Sequence, residues 1–272
     1  MQSQLTLPIL LLLIACLAGA LGVYQNLLRR IHSGGGRVRT AEFRGVDVAV
    51  CALLAVYFIS PAIQNALHKG APSAGITLRL VLENAASQAG LIVIIGFLLS
   101  QHGTGLRHLL GFDRMGHGRA VISGIGLLLA GLPLILGAAL LAQLLISNPG
   151  SEQGLVTLFR DAAQRSDYTT VGAVLFSAVV LAPASEELVF RGYVYPVLKR
   201  YGGGLAGAVF TSALFAMAHA NLASLPGLFV LALCLTTAYE ASGCLMVPAA
   251  MHATFNFANL SYLFWQAQST AP

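Results

Sequence analysis

Long apolar runs, each broken by a short cluster of glycine, basic or polar residues, recur along the whole chain. A helix needs about 20 mostly apolar residues to cross the hydrocarbon core of a bilayer. Runs of that kind cover residues 5–25, 45–62, 81–100, 120–146, 171–195, 204–221, 226–241 and 244–265. The pattern predicts an all-α fold, a polytopic transmembrane helical bundle of about eight spans. Lipid offers no partner to a free backbone group, and the ten-residue alternation of a transmembrane barrel, roughly one strand per segment, is missing. Gly34-Gly35-Gly36 and Gly202-Gly203-Gly204 read as turns. Between Ser147 and Thr170, Leu155, Leu158, Phe159 and Ala162 recur at helical spacing, predicting a short helix lying on the membrane surface. No internal repeat is visible, which argues against a transporter built from duplicated halves.

Composition sharpens this. Of 272 residues 57% are hydrophobic and 9% charged, with mean hydropathy +0.77, against roughly 25% charged in a soluble domain. A soluble enzyme, a disordered chain and a nucleic-acid binder are excluded. The net charge of +5 is a topology signal, because basic residues collect on the cytoplasmic side. Arg29, Arg30, Arg37, Arg39 and Arg44 fill the first loop, and alternate loops add Arg107, Arg114, Arg119, Arg191, Lys199 and Arg200. Lys69, Arg79, Arg160 and Arg165 fall on the other side. Both termini are therefore expected outside, in the inner membrane if the cell is bacterial. Ala18-Gly19-Ala20 resembles a signal cleavage site, but no Lys or Arg precedes the run, which continues to Val23 and reads as an anchor. Cys16, Cys51, Cys234 and Cys244 lack metal-type spacing and read as buried thiols.

Ionisable groups within spans carry the chemistry, since each costs a few kcal/mol or more at mid-bilayer. His32, His68, His102, His108 and His117 fall in predicted loops, and Asp47, Glu83 and Glu240 near span ends, where they read as solvated. Glu186, Glu187, Arg191, His219 and His252 lie in or beside apolar stretches. Glu187 and Arg191 are four apart with the acid first, the favoured order for an intrahelical ion pair. Glu186 then points about 100° away, unpaired. Phe215 sits one turn before His219, while His252, Asn256 and Asn259 share a helix face. A bland reading makes these charges and imidazoles interhelical glue. The catalytic reading takes them as a carboxylate base for water with imidazole and amide groups for an oxyanion. His219, His252 and Glu186 also come near a two-His-one-Glu zinc set. Asn256 is a poor zinc ligand and Glu186 cannot easily be both ligand and free base, so no required cofactor is expected. No Cys or Ser is linked by spacing to a His as in a triad.

In these residues the chain resembles the CAAX-protease and bacteriocin-processing (Abi) family of intramembrane proteases. The family pattern Glu-Glu-x-x-x-Arg, Phe-x-x-x-His and His-x-x-x-Asn falls on Glu186, Glu187 and Arg191, on Phe215 and His219, and on His252 and Asn256. The resemblance covers roughly residues 170–262, within a protease core placed at 120–272. Residues 1–119 form N-terminal helices of unassigned role. The resemblance implies a water-accessible cavity within the bilayer, Glu186 as base, and the histidines and Asn256 at the oxyanion or, in an older view, at a metal. It implies an endopeptidase acting on a membrane-associated or lipid-modified peptide or protein. The alternatives are a non-catalytic bacteriocin-immunity or scaffold protein, and a proton-coupled transporter. Geometry adds one demand: a fifth span ending near Phe190 would leave Glu186 and His219 roughly 24 Å apart in depth. A longer, tilted helix running to about Lys199 brings them level.

Overall fold

The computed structural model describes residues 7–67, 76–103, 105–145 and 154–269. His68, Lys69 and residues 147–153 of the surface segment lie outside them. Among the described residues every element is helical. Helix α1 spans Leu7–Gly34, α2 Gly45–Leu67, α3 Leu78–Ser100, the single turn α4 Leu106–Leu109, α5 His117–Leu145 and α6 Gly154–Gln164. Helix α7 runs for 35 residues as Tyr168–Gly202. It is followed by α8 (Gly204–Ala218), α9 (Leu225–Ser242) and α10 (Met246–Ser269).

All eight apolar runs are helices, but among the described residues six are long and apolar enough to span a membrane: α1, α2, α3, α5, α7 and α9. This is roughly consistent with the expected count of about eight, and two of the expected runs fall short of that measure for physical reasons. Helix α8 has only 15 residues. Helix α10 has 24, but His252, Thr254, Asn256, Asn259, Gln266 and Gln268 dilute its apolar character. The protein is an integral membrane protein by these helices.

Local sequence sets the boundaries. Thr77 caps α3 by accepting the Leu80 N–H, and Asp167 caps α7 by accepting the N–H of Thr170 at 3.2 Å. Two bonds from Thr170, one from its N–H and one from its hydroxyl, hold the Asp167 carboxyl below the usual carboxylate range. Helix α7 closes at Gly203, whose φ of +85° turns the chain back into α8. Helix α5 packs along α1, α9 and α10. At Gly124 the approach is so close that a Cβ would meet the Val247 carbonyl at 2.6 Å, the small-residue packing that membrane helices use. The apolar face of α6 is not spread on a membrane surface. Phe159 and Ala162 are buried in a cluster with Val171, Val174, Leu260 and Ala267, because α7 and α10 offer that face a protein partner.

Three sequence expectations are corrected here. Asp47 and Glu240, read as solvated, are each 4% exposed. Arg191, counted in a cytoplasmic loop, is fully buried inside α7. Cys16 is exposed on α1, while the other three thiols are buried and all four are free. Glu83 does remain outside, paired with Arg79.

Both corrected carboxylates gather distant segments at one end of the bundle. Asp47 accepts the Tyr193 hydroxyl at 2.6 Å, His102 Nε2 at 3.2 Å and the Arg44 N–H at 2.5 Å. Glu240 accepts the Arg37 N–H at 2.9 Å and the Val38 N–H at 3.3 Å on one oxygen. Its other oxygen takes the Tyr195 hydroxyl and Lys199 Nζ, both at 2.6 Å. Arg39 donates to the His108 carbonyl at 2.8 Å, and Arg200 to that of Thr40 at 2.8 Å. The basic loops before α2 and after α3 thus meet the end of α7. Outside the membrane-spanning helices, His108 of α4 bonds Asp113 at 2.7 Å and holds that carboxyl below its ordinary range.

The loop after α1 tests this clamp. Gly36 has a φ of +71°, and a Cβ there would lie 2.1 Å from Glu240 Oε2, whereas Gly35 at +77° has open space. Left-handed backbone alone costs a non-glycine residue about 1–2 kcal/mol. Gly35→Ala should cost that much, and Gly36→Ala about 3 kcal/mol or more because the clamp must also open. Thermal unfolding in detergent should show the larger drop for Gly36→Ala; equal drops would refute the clamp.

Candidate active site

The polar cluster forms at the middle of α7. Two π-helical segments, Ser177–Leu181 and Leu188–Val194, flank the α-helical turn Ala182–Glu187. Such widened turns recur at functional sites because they re-aim side chains and loosen the carbonyl ladder. The carbonyl of Ala178, in the first of them, accepts Asn256 Nδ2 at 2.8 Å. Glu186 lies roughly 25 Å of helix rise from either end of α7, and His219 about as far beyond the Gly203 turn along α8. Running antiparallel, the two helices bring these side chains to one depth. The demand for a fifth helix extending past Phe190 is met.

Arg191 is the electrostatic centre. Its Nη1 donates to Glu187 Oε1 at 2.9 Å, with both side chains at or below 1% exposure. Its Nη2 donates to the Ala232 carbonyl of α9 at 3.1 Å. Its guanidinium carbon stands 4.6 Å from the Phe215 ring centroid, where the aromatic face attracts a cation. His252 Nδ1 meets the same Glu187 Oε1 at 2.9 Å. A carboxylate only accepts, so His252 carries its proton on Nδ1 and turns Nε2 outward. That Nε2 lies 3.9 Å from Glu186 Oε2, beyond direct hydrogen-bond reach and suited to a bridging water.

Glu187 is anchored by two donors on Oε1 while its Oε2 is buried without a hydrogen-bond partner, and Glu186 differs from it in facing a polar cavity. The Glu186 side chain is 21% exposed, yet its Oε2 is buried without a hydrogen-bond partner. It lines a cavity of about 330 Å³ between α2, α3, α7 and α8, together with His219. His219 Nδ1 is 2.9 Å from the Phe215 carbonyl, so it donates there and Nε2 is left free. The Phe215 ring contacts both imidazoles, at centroid distances of 4.9 Å to His219 and 5.6 Å to His252. A second, largely apolar cavity of about 720 Å³ reaches Glu187 from the other side of α7, between α3 and α10.

Glu186, Glu187, Arg191, Phe215, His219 and His252 therefore gather at one place. Asn256 ties α10 to α7 and does not line the cavity beside Glu186. Asn259 is exposed and bonds its own helix carbonyl at Phe255, so it leaves the polar face that sequence spacing assigned it. For a metal, the donors do not fit. His219, His252 and Glu186 do not converge, and no group of three His, Cys, Asp or Glu with metal-holding geometry occurs among the described residues. The set missed from sequence is the cavity's far wall, Tyr57, Ser60, Asn84, Ser87 and Gln88 on α2 and α3. The spacing of Asn84, Ser87, Gln88 and Leu91 on one face of α3 was the available signal.

With this geometry, residues 169–258 match the family model described as type II CAAX prenyl endopeptidase Rce1-like. The segment carries every motif residue, and the resemblance to the CAAX-protease family is borne out there. An Escherichia coli protein described as an uncharacterized 24.3 kDa protein is 39% identical over 83 residues, covering 29% of this chain and 38% of that relative. This chain thus spans well under half the length of that relative. No solved structure matches.

The two adjacent glutamates should respond differently to the same change. Glu187→Gln strands the Arg191 cation in a fully buried site, and breaking such a buried pair costs about 3–5 kcal/mol. A clear fall in thermal midpoint or membrane abundance is expected, whereas Glu186→Gln should leave both near wild type. Equal stability of the two variants would refute the ion-pair role.

Proposed function

We propose that the chain is an intramembrane endopeptidase that hydrolyses a peptide bond of a membrane-associated or lipid-modified peptide or protein. The observation that carries this reading is Glu186: a carboxylate at the middle of α7, with an unpartnered oxygen, lining a cavity with His219 and 3.9 Å from His252. Glu186 takes one proton from a water whose oxygen bonds to the scissile carbonyl carbon. The carbonyl becomes a tetrahedral oxyanion, which collapses as the C–N bond breaks, and Glu186 returns its proton to the departing amine.

His252 is oriented by Glu187 in the manner of a carboxylate–imidazole pair, so its Nε2 faces the water side. His219, with Nδ1 spent on the Phe215 carbonyl, presents Nε2 to the cavity on the side where the oxyanion develops. Asn256 has a positioning role, holding His252's helix against the widened turn of α7. No step runs through a metal, since the donors do not converge on one. The apolar cavity beside Glu187 supplies room for a hydrocarbon chain on the substrate. The scaffold reading explains the Arg191 network but gives no reason for a second glutamate lining a polar cavity with His219. Our topology reading places both termini outside. Removing Arg191 from the cytoplasmic tally leaves ten basic residues there against four, by the sequence positions above, so the bias stands.

Glu186→Gln keeps the side chain's shape and removes the base. Turnover of a quenched-fluorescent membrane peptide by protein in lipid nanodiscs should fall by about 10² to 10⁴. Wild-type turnover in that variant would end the catalytic assignment. For topology, a reporter fused after Arg39 should read cytoplasmic and one fused at the C-terminus external; a cytoplasmic C-terminus would overturn the orientation.

A further inference from the structure

The cavity beside Glu186 has two walls of different origin. One is the matched segment, with Glu186 and His219; the other is α2 and α3, which precede that segment. The α3 wall presents Asn84, Ser87 and Gln88 at i, i+3 and i+4, a polar stripe on a helix whose other faces expose Leu82, Val93, Ile94 and Phe97. An amide in a lipid-embedded helix is costly unless it answers another polar group.

The hydroxyls of that wall are already satisfied. Ser87 Oγ bonds the Tyr57 hydroxyl at 3.3 Å. Ser60 Oγ donates to the Tyr57 carbonyl at 3.0 Å, the carbonyl that Pro61 leaves without an N–H donor four residues on. Gln88 differs: its Oε1 is buried and has no hydrogen-bond partner. The cavity therefore holds two unpartnered buried acceptors, Gln88 Oε1 on one wall and Glu186 Oε2 on the other. Glu186 answers a water in the reaction proposed above. Gln88 needs an N–H donor that the protein does not supply.

We infer that the Asn84–Gln88 face of α3 is the substrate-positioning wall, which holds an extended peptide by its main chain, with Gln88 Oε1 accepting a substrate backbone N–H. Side-chain amides match this ligand because the peptide unit is itself an amide, offering a donor and an acceptor. Asn84, exposed where it lines the cavity, provides a second amide one helical turn away. Recognition through the main chain tolerates varied side chains. The inference rests on the endopeptidase reading for the side from which the bond is attacked, but the binding contact itself can be read without turnover.

The test is a thermodynamic cycle between protein and peptide. The probe is a fluorescent peptide ending in a farnesylated cysteine and three further residues, made also as ester analogues in which each backbone N–H near the cysteine is replaced by oxygen. Binding is measured to Glu186→Gln in nanodiscs, with and without Gln88→Leu; turnover is measured in the active protein with and without Gln88→Leu. Gln88→Leu should raise Kd and KM about five- to tenfold, one hydrogen bond's worth, while kcat moves less than twofold. One ester analogue should lose the same factor when Gln88 is present and lose nothing further in the Gln88→Leu protein. Gln88→Asn should recover part of the affinity. Unchanged binding in Gln88→Leu, ester effects identical with and without Gln88, or no binding of the peptide at all would overturn the inference. Binding that follows the cycle without any turnover would sustain it while removing the endopeptidase reading.

Discussion

The structure depends on keeping one cation, Arg191, charged and satisfied in the middle of a membrane bundle. Moving such a group from water costs several kcal/mol even after relaxation, so its charge must be answered from several sides. The answers come from different helices: Glu187 within α7, the Ala232 carbonyl from α9 and the Phe215 ring from α8. Glu187 passes the constraint to α10 by accepting His252. Four helices are therefore fixed around one guanidinium, and any shift of one exposes a charge to an apolar medium.

That fixed centre is what frees Glu186. Two adjacent carboxylates on a helix point about 100° apart, and the one whose Oε1 meets both Arg191 and His252 is Glu187. Glu186 keeps an oxygen without a partner, set against the cavity instead of the core. The π-helical segments on either side let α7 carry this turn without breaking the helix.

Much of this was legible in the sequence, and the reasons are local. The helices could be read because apolar runs end at glycines or charges, as at Gly34 to Gly36 and Gly202 to Gly204. The Glu187–Arg191 pair is an i,i+4 relation and needs no tertiary information. What could not be read is long-range. Asp47 finds Tyr193 146 residues away and His102 55 residues away, so each looked like an ordinary polar group near a loop. Glu240 is buried because the backbone of Arg37 and Val38 folds onto it, and no side-chain pattern announces a backbone partner. Helix α10 misled in the opposite way: helical spacing put His252, Asn256 and Asn259 on one face, but Asn259 is exposed and bonds its own helix.

The N-terminal helices complete the physical argument. The segment that matches the protease family supplies Glu186, but only one side of its cavity. Without α2 and α3 that carboxylate would face acyl chains, where an ionised group is expelled or neutralised. With them it faces serine hydroxyls and carboxamides. The buried clamps at Asp47 and Glu240 then acquire a purpose beyond stability. They tie α2 and the loop before it to α7, through Tyr193, Tyr195 and Lys199, so the two walls keep one spacing. The base proposed here needs this second wall as much as it needs its own carboxylate.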